Sequence, residues 1–420
     1  MQSLDVSEQE LHDWIVVGGG IAGLSIGEIL ARAGKSVLLL EKNSTLASET
    51  TKVFHEWLHT GALFTLVPDR LLTLRYLLGA IDDLLEYYQS FPGMNLVPSE
   101  RGFTVAGTGW FNPENIVYKY RIRRFNPVWL SLVSRSARIV EKVASHDWLR
   151  RRAGAEYGYS RLSRRNWLSL IPRQIRSRGD FLRVVSPDVT INSRVLLADL
   201  LRQALASTLQ YCLNTDVTRL APDNRGVTVY AGKREFHARQ VVVCAPDAVA
   251  AQFGMKTTVG YAPIAVVADV PEDAESFVEL DYFVKNCINL LRKPNRLAQA
   301  GGITLNNQAE VPDYLAYVIR QHQRRMPGIR VLGTYTGLKK ELVNPGENRN
   351  YLYHIMQHDP RLWSVVLGKF SLAFSMAPEF YRRVYHCNPA KTFSQRCAPL
   401  EPADISATAW EEVAAGARGA

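Results

Sequence analysis

Apolar positions near the start of this 420-residue chain change period twice within a short stretch. Trp14 to Val17 is a continuous apolar run that stops at Gly18, after which apolar residues recur at Ile21, Leu24, Ile29 and Leu30 until Gly34 ends the pattern. That spacing is helical. A second run, Val37 to Leu40, follows and ends in an acid, Glu41. The order strand, glycine turn, helix, strand, acid predicts a Rossmann-like unit.

Further along, residues 71–90 and 193–207 show the period of amphipathic helices, the first stopped by Phe91-Pro92-Gly93. Between them, 95–130 alternates and carries Pro and Gly breaks, which predicts strands. Residues 213–248 read as three strands with two turns, and the run Val241 to Val243 as a strand returning to the first sheet. The segment beginning at "IRVLGTYTGL" predicts a closing strand, and 363–386 a strand, a glycine turn and a helix. The tail from about 398 is small and polar and is expected to be loose at its end. A chain of this length suits two domains. We expect one discontinuous α/β domain over 1–95, 185–255 and 330–395, with a mostly antiparallel β domain over 96–184 and 256–329 inserted into it, and a tail over 396–420.

The glycine turn carries the first chemical signal. Gly18 permits a tight exit from the strand, Gly20 lets backbone approach a pyrophosphate, and Gly23 allows close packing of helix on strand. The first helical residues, Ile21 and Ala22, then offer N–H groups and the positive end of the helix dipole to phosphates. Glu41 is placed to accept both ribose hydroxyls of an adenosine, and an acid there disfavours a 2′-phosphate. The alternative is a βαβ unit whose loop binds nothing.

Charge adds a second region. Fifty Lys and Arg against forty Asp and Glu give a formal charge of +10, and residues 148–183 hold ten arginines but only two acids, Glu156 and Asp180. Trp, Leu and Ile are interleaved with those arginines. The segment therefore suits an anionic membrane surface, a cleft for an acidic partner, or a solvated face. No nucleic-acid-binding module accompanies it. No run of eighteen or more apolar residues and no basic-then-apolar leader is evident, so a cytoplasmic location is expected, peripheral to the inner face of a membrane if the basic segment binds lipid. Cys212, Cys244, Cys287, Cys387 and Cys397 are odd in number and lack CxxC spacing, which fits a reducing compartment and argues against a zinc or disulfide framework.

Four segments together resemble one family: "VVGGGIAGLSIGEILARAGKSVLLLEKN", "TTKVFHEWLHTGALF", "VVVCAPDA" and "GTYTGLKKE…NRNYLYHI…LGKFSLAFSMAPE". The chain is similar to the flavin-dependent oxidoreductases of the D-amino-acid oxidase superfamily, and within it to the FAD-dependent glycerol-3-phosphate and L-2-hydroxyglutarate dehydrogenases. The resemblance implies a glutathione-reductase-type FAD-binding domain and FAD as cofactor. It assigns the pyrophosphate to Gly18, Gly20 and Gly23 and the ribose to Glu41, with Ile21, Ala22 and Lys42 also expected against the cofactor. Adenine is expected near Val217, and the flavin ring beside Thr51, Lys52, Ala245, Gly337 and the turn Gly368-Lys369-Phe370. The family's Gly-Arg-Pro reads here Gly337-Leu338-Lys339-Lys340, so a lysine stands where an arginine would grip an anion bidentately.

The resemblance places His55 or His59 beside the flavin as general base, and Lys339 and Arg349 where they orient an anionic substrate. His55-Glu56-Trp57-Leu58-His59 also satisfies HExxH, a zinc motif when both imidazoles lie on one helical face. No third ligand is evident, and no metal is expected. The predicted activity is hydride removal from a CH–OH or CH–NH carbon of a small anionic molecule, with the electron acceptor left open. An amine oxidase is one alternative, and a halogenase or monooxygenase another, the latter suggested by Trp167-Leu168-Ser169-Leu170-Ile171-Pro172. A third is a flavoprotein acting through its basic surface on a membrane or partner.

Overall fold

The computed structural model describes residues 10–66, 72–99, 102–122, 126–134, 136, 175–178, 180–342, 351–393 and 404–419. The chemistry expected of Arg349, Trp167 and most of the arginine-rich segment lies outside those residues.

Two sheets organise the chain. Leu11–Val17 and Val37–Leu40 pair in parallel, and Leu209–Cys212 extends the sheet beyond the second strand. On the other side Arg234–Val243 pairs in parallel with the first strand, Val241 to Val243 facing Ile15 to Val17 as the returning strand. Leu362–Leu367 adds a fifth parallel strand. Residues Trp14 to Val17 and Val37 to Leu40 are buried throughout, as strands covered on both faces must be. The helix Ile21–Arg32 covers one face and is buried from Ile21 to Ala31. Its neighbours are the helices Ser193–Leu205 and Ala373–Tyr385, and Trp14 Nε1 donates to Tyr385 Oη at 2.7 Å to fix the last of these.

The second sheet has nine strands, antiparallel except where Phe277–Leu280 runs parallel to Phe111–Arg121. Two segments sit differently from the sequence expectation. Arg330–Leu342, expected to close the first sheet, instead pairs along Thr257–Ala268 in the second. Phe181–Ile191 likewise pairs with Phe111–Arg121, so the chain leaves the second sheet near Asn192 rather than at 185. Both strands mix buried and half-buried positions, a pattern that does not name the sheet it joins.

The described part of the tail, 404–419, packs on the body of the protein. Ala409–Gly419 forms a helix against the strand Arg330–Leu342. Ahead of it, Leu46 N–H donates to Asp404 O at 2.7 Å and Ser406 N–H to Leu46 O at 2.9 Å. Gly333 lets this helix approach the strand closely, since a Cβ there would stand 2.8 Å from Val413 Cγ1.

A candidate active site joining the glycine turn to a buried histidine pair

The first strand ends at Gly18, whose φ of 104° lies in the left-handed region. Gly23 is required for a different reason: a Cβ there would stand 1.9 Å from Gly18 O. The following helix starts at Ile21 without a side-chain cap, and Thr51 Oγ1 accepts from Ile21 N–H at 3.1 Å. Glu41 is buried and ties the turn to the second strand: Oε2 accepts from Gly19 N–H at 2.7 Å, and Oε1 from Asn43 N–H at 2.9 Å. Oε1 also accepts from Asn43 Nδ2 at 2.7 Å, so the capacity left for a ribose is on Oε2. The loop toward Val217 crosses beside it, with Thr215 N–H donating to Glu41 O at 2.8 Å.

A single cavity of about 1190 Å³ runs from this turn to the histidines. Gly18, Gly20, Ile21, Ala22, Glu41, Lys42, Thr51, Val217 and Ala245 line one end. His55, His59, Lys339, Gly368, Lys369 and Phe370 line the other. Residues from four distant stretches of sequence thus face one space. Three expected cofactor residues do not. Gly23 packs behind the turn. Lys52 pairs with Glu412, at 2.9 and 3.0 Å, outside the cavity wall. Gly337 lies against Val53 O, 3.0 Å from where its Cβ would be, and so lets the loop carrying His55 pack on the second sheet.

The histidine end is built on Asp188, which is fully buried. It accepts from Thr60 N–H at 2.9 Å, Thr60 Oγ1 at 2.6 Å, Trp57 Nε1 at 2.8 Å and Tyr118 Oη at 2.6 Å. Burial alone would raise its pKa; His59, Thr60 and Tyr118 outweigh that and hold it below the usual carboxylate value. Burial, and then Asp188, push the Tyr118 hydroxyl well up, so it stays a donor. His59 Nδ1 is 3.7 Å from Asp188 Oδ2, an ion-pair distance longer than a hydrogen bond. Its ring stacks on Trp57 with centroids 4.2 Å apart, and Ser371 Oγ accepts from His59 N–H at 3.0 Å.

Burial lowers the pKa of His59 to about 4 despite Asp188, and that of His55 to about 3, with Lys293, His59 and Lys369 adding to the latter. Both imidazoles are neutral at pH 7. His55 Nε2 and Asn289 Oδ1 are buried without a hydrogen-bond partner, and both border Gly301. The Asn289 amide is oriented by donation from Nδ2 to Gly302 O at 3.3 Å, which leaves its oxygen as a free acceptor. Lys369 Nζ lies 4.8 Å from the ring centres of both Phe64 and Tyr351. Lys339 pairs with Glu341 and lies 5.2 Å from the Tyr351 ring.

The HExxH reading is overturned by geometry. Trp57–Leu58 is a short strand, so His55 and His59 do not share a helical face. Glu56 is consumed by structure: it pairs with Lys293, accepts from Ser193 N–H at 3.0 Å, and accepts from Trp410 Nε1 at 2.9 Å. Burial raises its pKa, but Lys293 and Ser193 outweigh this and keep it ionised. Among the described residues no group of three potential metal ligands occurs.

Sequence reasoning missed Asp188, Asn289 and Lys293. Asp188 had a signal, since it is the one charged residue between Val184 and Ile191 and buried acids carry partners. Asn289 and Lys293 had none.

A glycine cradle at the edge of a parallel sheet, opening through one cavity onto an antiparallel sheet, defines a dinucleotide-binding oxidoreductase of the two-sheet kind. The family model described as FAD dependent oxidoreductase (DAO) matches residues 13–378, and the chain belongs to that family. It is an enzyme and a flavoprotein, and FAD is its cofactor. No curated protein sequence matches it significantly.

Solved structures share its fold. NikD, an unusual amino acid oxidase essential for nikkomycin biosynthesis, is 17% identical with a TM-score of 0.62, covering 94% of this chain and 100% of that one. L-alpha-glycerophosphate oxidase from Mycoplasma pneumoniae, with FAD bound, is 15% identical with a TM-score of 0.63 over 94% and 98%. L-amino acid deaminase from Proteus vulgaris is 12% identical with a TM-score of 0.64 over 93% and 94%. The described residues include no helix long and apolar enough to cross a membrane.

Proposed function

We propose that this enzyme removes a hydride from a CH–OH or CH–NH carbon of an anionic substrate, at the end of the cavity lined by His55, His59 and Lys369. The observation that carries the reading is the joining of a glycine cradle and a buried, neutral imidazole pair by one continuous cavity. Bound FAD supplies the hydride acceptor. The chain's own residues do the rest. With Asp188 ionised, the favoured tautomer of His59 carries its proton on Nδ1, so Nε2 is the basic nitrogen, able to take a hydrogen bond or a proton from the reacting N–H or O–H. Trp57 and Thr60 fix the ring by holding Asp188. Lys369 and Lys339 give the wall positive charge for a carboxylate or phosphate, as points of charge rather than forks.

Asn289 Oδ1 favours the CH–NH reading, because a buried carbonyl oxygen without a donor is matched by an amine, which brings more than one N–H. Amino acid oxidases and a deaminase among the structural relatives agree with this, and the glycerophosphate oxidase keeps the CH–OH class in the test. The holoenzyme is mixed anaerobically with amino acids, hydroxy acids and glycerol phosphates. Bleaching of the yellow flavin band by one class names the donor, and His59→Asn should slow that bleaching by about 10²-fold or more. Protein loaded with FAD and bleached by none of the three classes refutes the reading. Admission of oxygen to the bleached sample then asks whether oxygen is the electron acceptor.

A further inference from the structure

Beyond the histidines the cavity wall is apolar, and it continues to the surface. Trp57, stacked on His59, belongs to a buried cluster with Trp129, Val278, Leu280 and Leu291. Trp129, Val278 and Leu280 line the same cavity as His59, and so do Leu132, Tyr282 and Val284. The latter three are 38%, 40% and 61% exposed, so they form its rim. The Trp129 and Tyr282 rings, 6.4 Å apart, connect the two segments that make it. Val128, Leu130 and Phe283, beside them in sequence, are exposed as well. Six of the ten exposed large apolar side chains among the described residues therefore lie on two short segments at one mouth. Scattered apolar exposure needs no explanation, but such a concentration marks a binding surface. The carboxylate in this wall, Asp281, is engaged by Arg121 Nε at 3.3 Å.

We propose that the substrate carries an extended apolar group, an alkyl chain or fused ring, which lies along Trp129, Val278 and Leu280 and leaves between Leu132 and Val284. This rests on the oxidation proposed above and adds the shape of the molecule oxidised. A bilayer or an apolar protein face would cover the rim alone. It would leave unexplained the apolar run inward to Trp57, against which the reacting end must sit.

The test uses FAD-loaded protein and a series of saturated carboxylates, acetate, hexanoate and decanoate, read by perturbation of the flavin spectrum. Binding should tighten by up to about fourfold per added methylene. Leu132→Asp and Val284→Asp should flatten that dependence, while Leu11→Asp, the same change at an exposed apolar site on the first strand, should not. Decanoate binding no tighter than acetate overturns the proposal. So does a chain-length dependence untouched by the rim variants, or its absence in protein that nonetheless binds phosphatidylcholine vesicles. Failure of the oxidation reading is seen separately, as FAD-loaded protein that no donor class bleaches; the carboxylate series needs no turnover and scores the pocket independently.

Discussion

The two ends of the cavity are built by opposite means. At the glycine turn the wall is backbone, and the residues that shape it, Gly18 to Gly23 and Glu41, come from one short stretch of chain. At the histidine end the wall is side chain, and its members, His59, Lys339 and Lys369, with Asp188 buried behind them, come from separate strands and turns of both halves of the sequence. Backbone tolerates no added atom at close approach, so the first end should fail completely when altered. Side-chain networks fail by degrees, so the second should lose rate before it loses structure.

The largest expected effect tests the first half of that contrast. Gly23→Ala puts a methyl group 1.9 Å from Gly18 O, so helix and strand must part. FAD retained after gel filtration should fall by at least about tenfold, equivalent to about 1.4 kcal/mol. Full occupancy would break the comparison.

Next comes Asp188→Asn, which keeps the shape but removes the charge that four donors share. FAD should stay bound while kcat falls by about 10²-fold, with a stability loss of about 1–3 kcal/mol from imperfectly matched donors. Combined with His59→Asn the loss in kcat should be no larger than that of either change alone, because one group acts through the other. Multiplying losses would show that Asp188 serves the fold only.

A smaller effect is set by pH. Burial lowers His59 to about 4 and His55 to about 3, both below the ordinary value of 6.5. A group with a depressed histidine pKa binds its proton more weakly when folded. Its contribution to stability is therefore present above pH 6.5 and is lost as pH falls from there through about 4. Thermal melts should show this decline, and His59→Asn should reduce its slope. The acid limb of kcat/KM belonging to the enzyme should likewise lie near pH 4 rather than 6.5. The least effect is expected of Lys52→Ala, which removes a partly exposed pair with Glu412: FAD binding should be unchanged and stability lowered by no more than about 1 kcal/mol.

The same contrast explains what could be read in advance. The turn was legible because its requirements are local: a tight exit at Gly18, a bare Cα at Gly23 and an acid at the end of the next strand fall in one window. Even there, nothing in the sequence announces that Lys52 will pair with Glu412. At the other end resemblance pointed to His55 and His59, which line the cavity, but not to the residues packed behind them. Asp188 lies 128 residues from Thr60, which it holds, and pairing at that range leaves no periodic trace. HExxH was set aside for want of a third ligand, and the backbone gives a second reason, because Trp57 and Leu58 pair as a strand with Thr190 and Val189. Arg330–Leu342 misled because alternation reports a strand but not its neighbour.

The link between Glu56 and Trp410 also has a bearing on how the enzyme comes into being. The two residues are 354 positions apart, and a ribosome moving at about 5–20 residues per second needs roughly 20 to 70 seconds to cover that distance. Throughout that interval the loop carrying the histidine pair lacks one of the three partners that immobilise Glu56. The histidine end is thus among the last parts of the nascent molecule to be secured, long after the glycine turn has been synthesised. A fusion or truncation that displaces the helix at Ala409–Gly419 would act on the histidine end of the cavity, although it changes no residue that lines it.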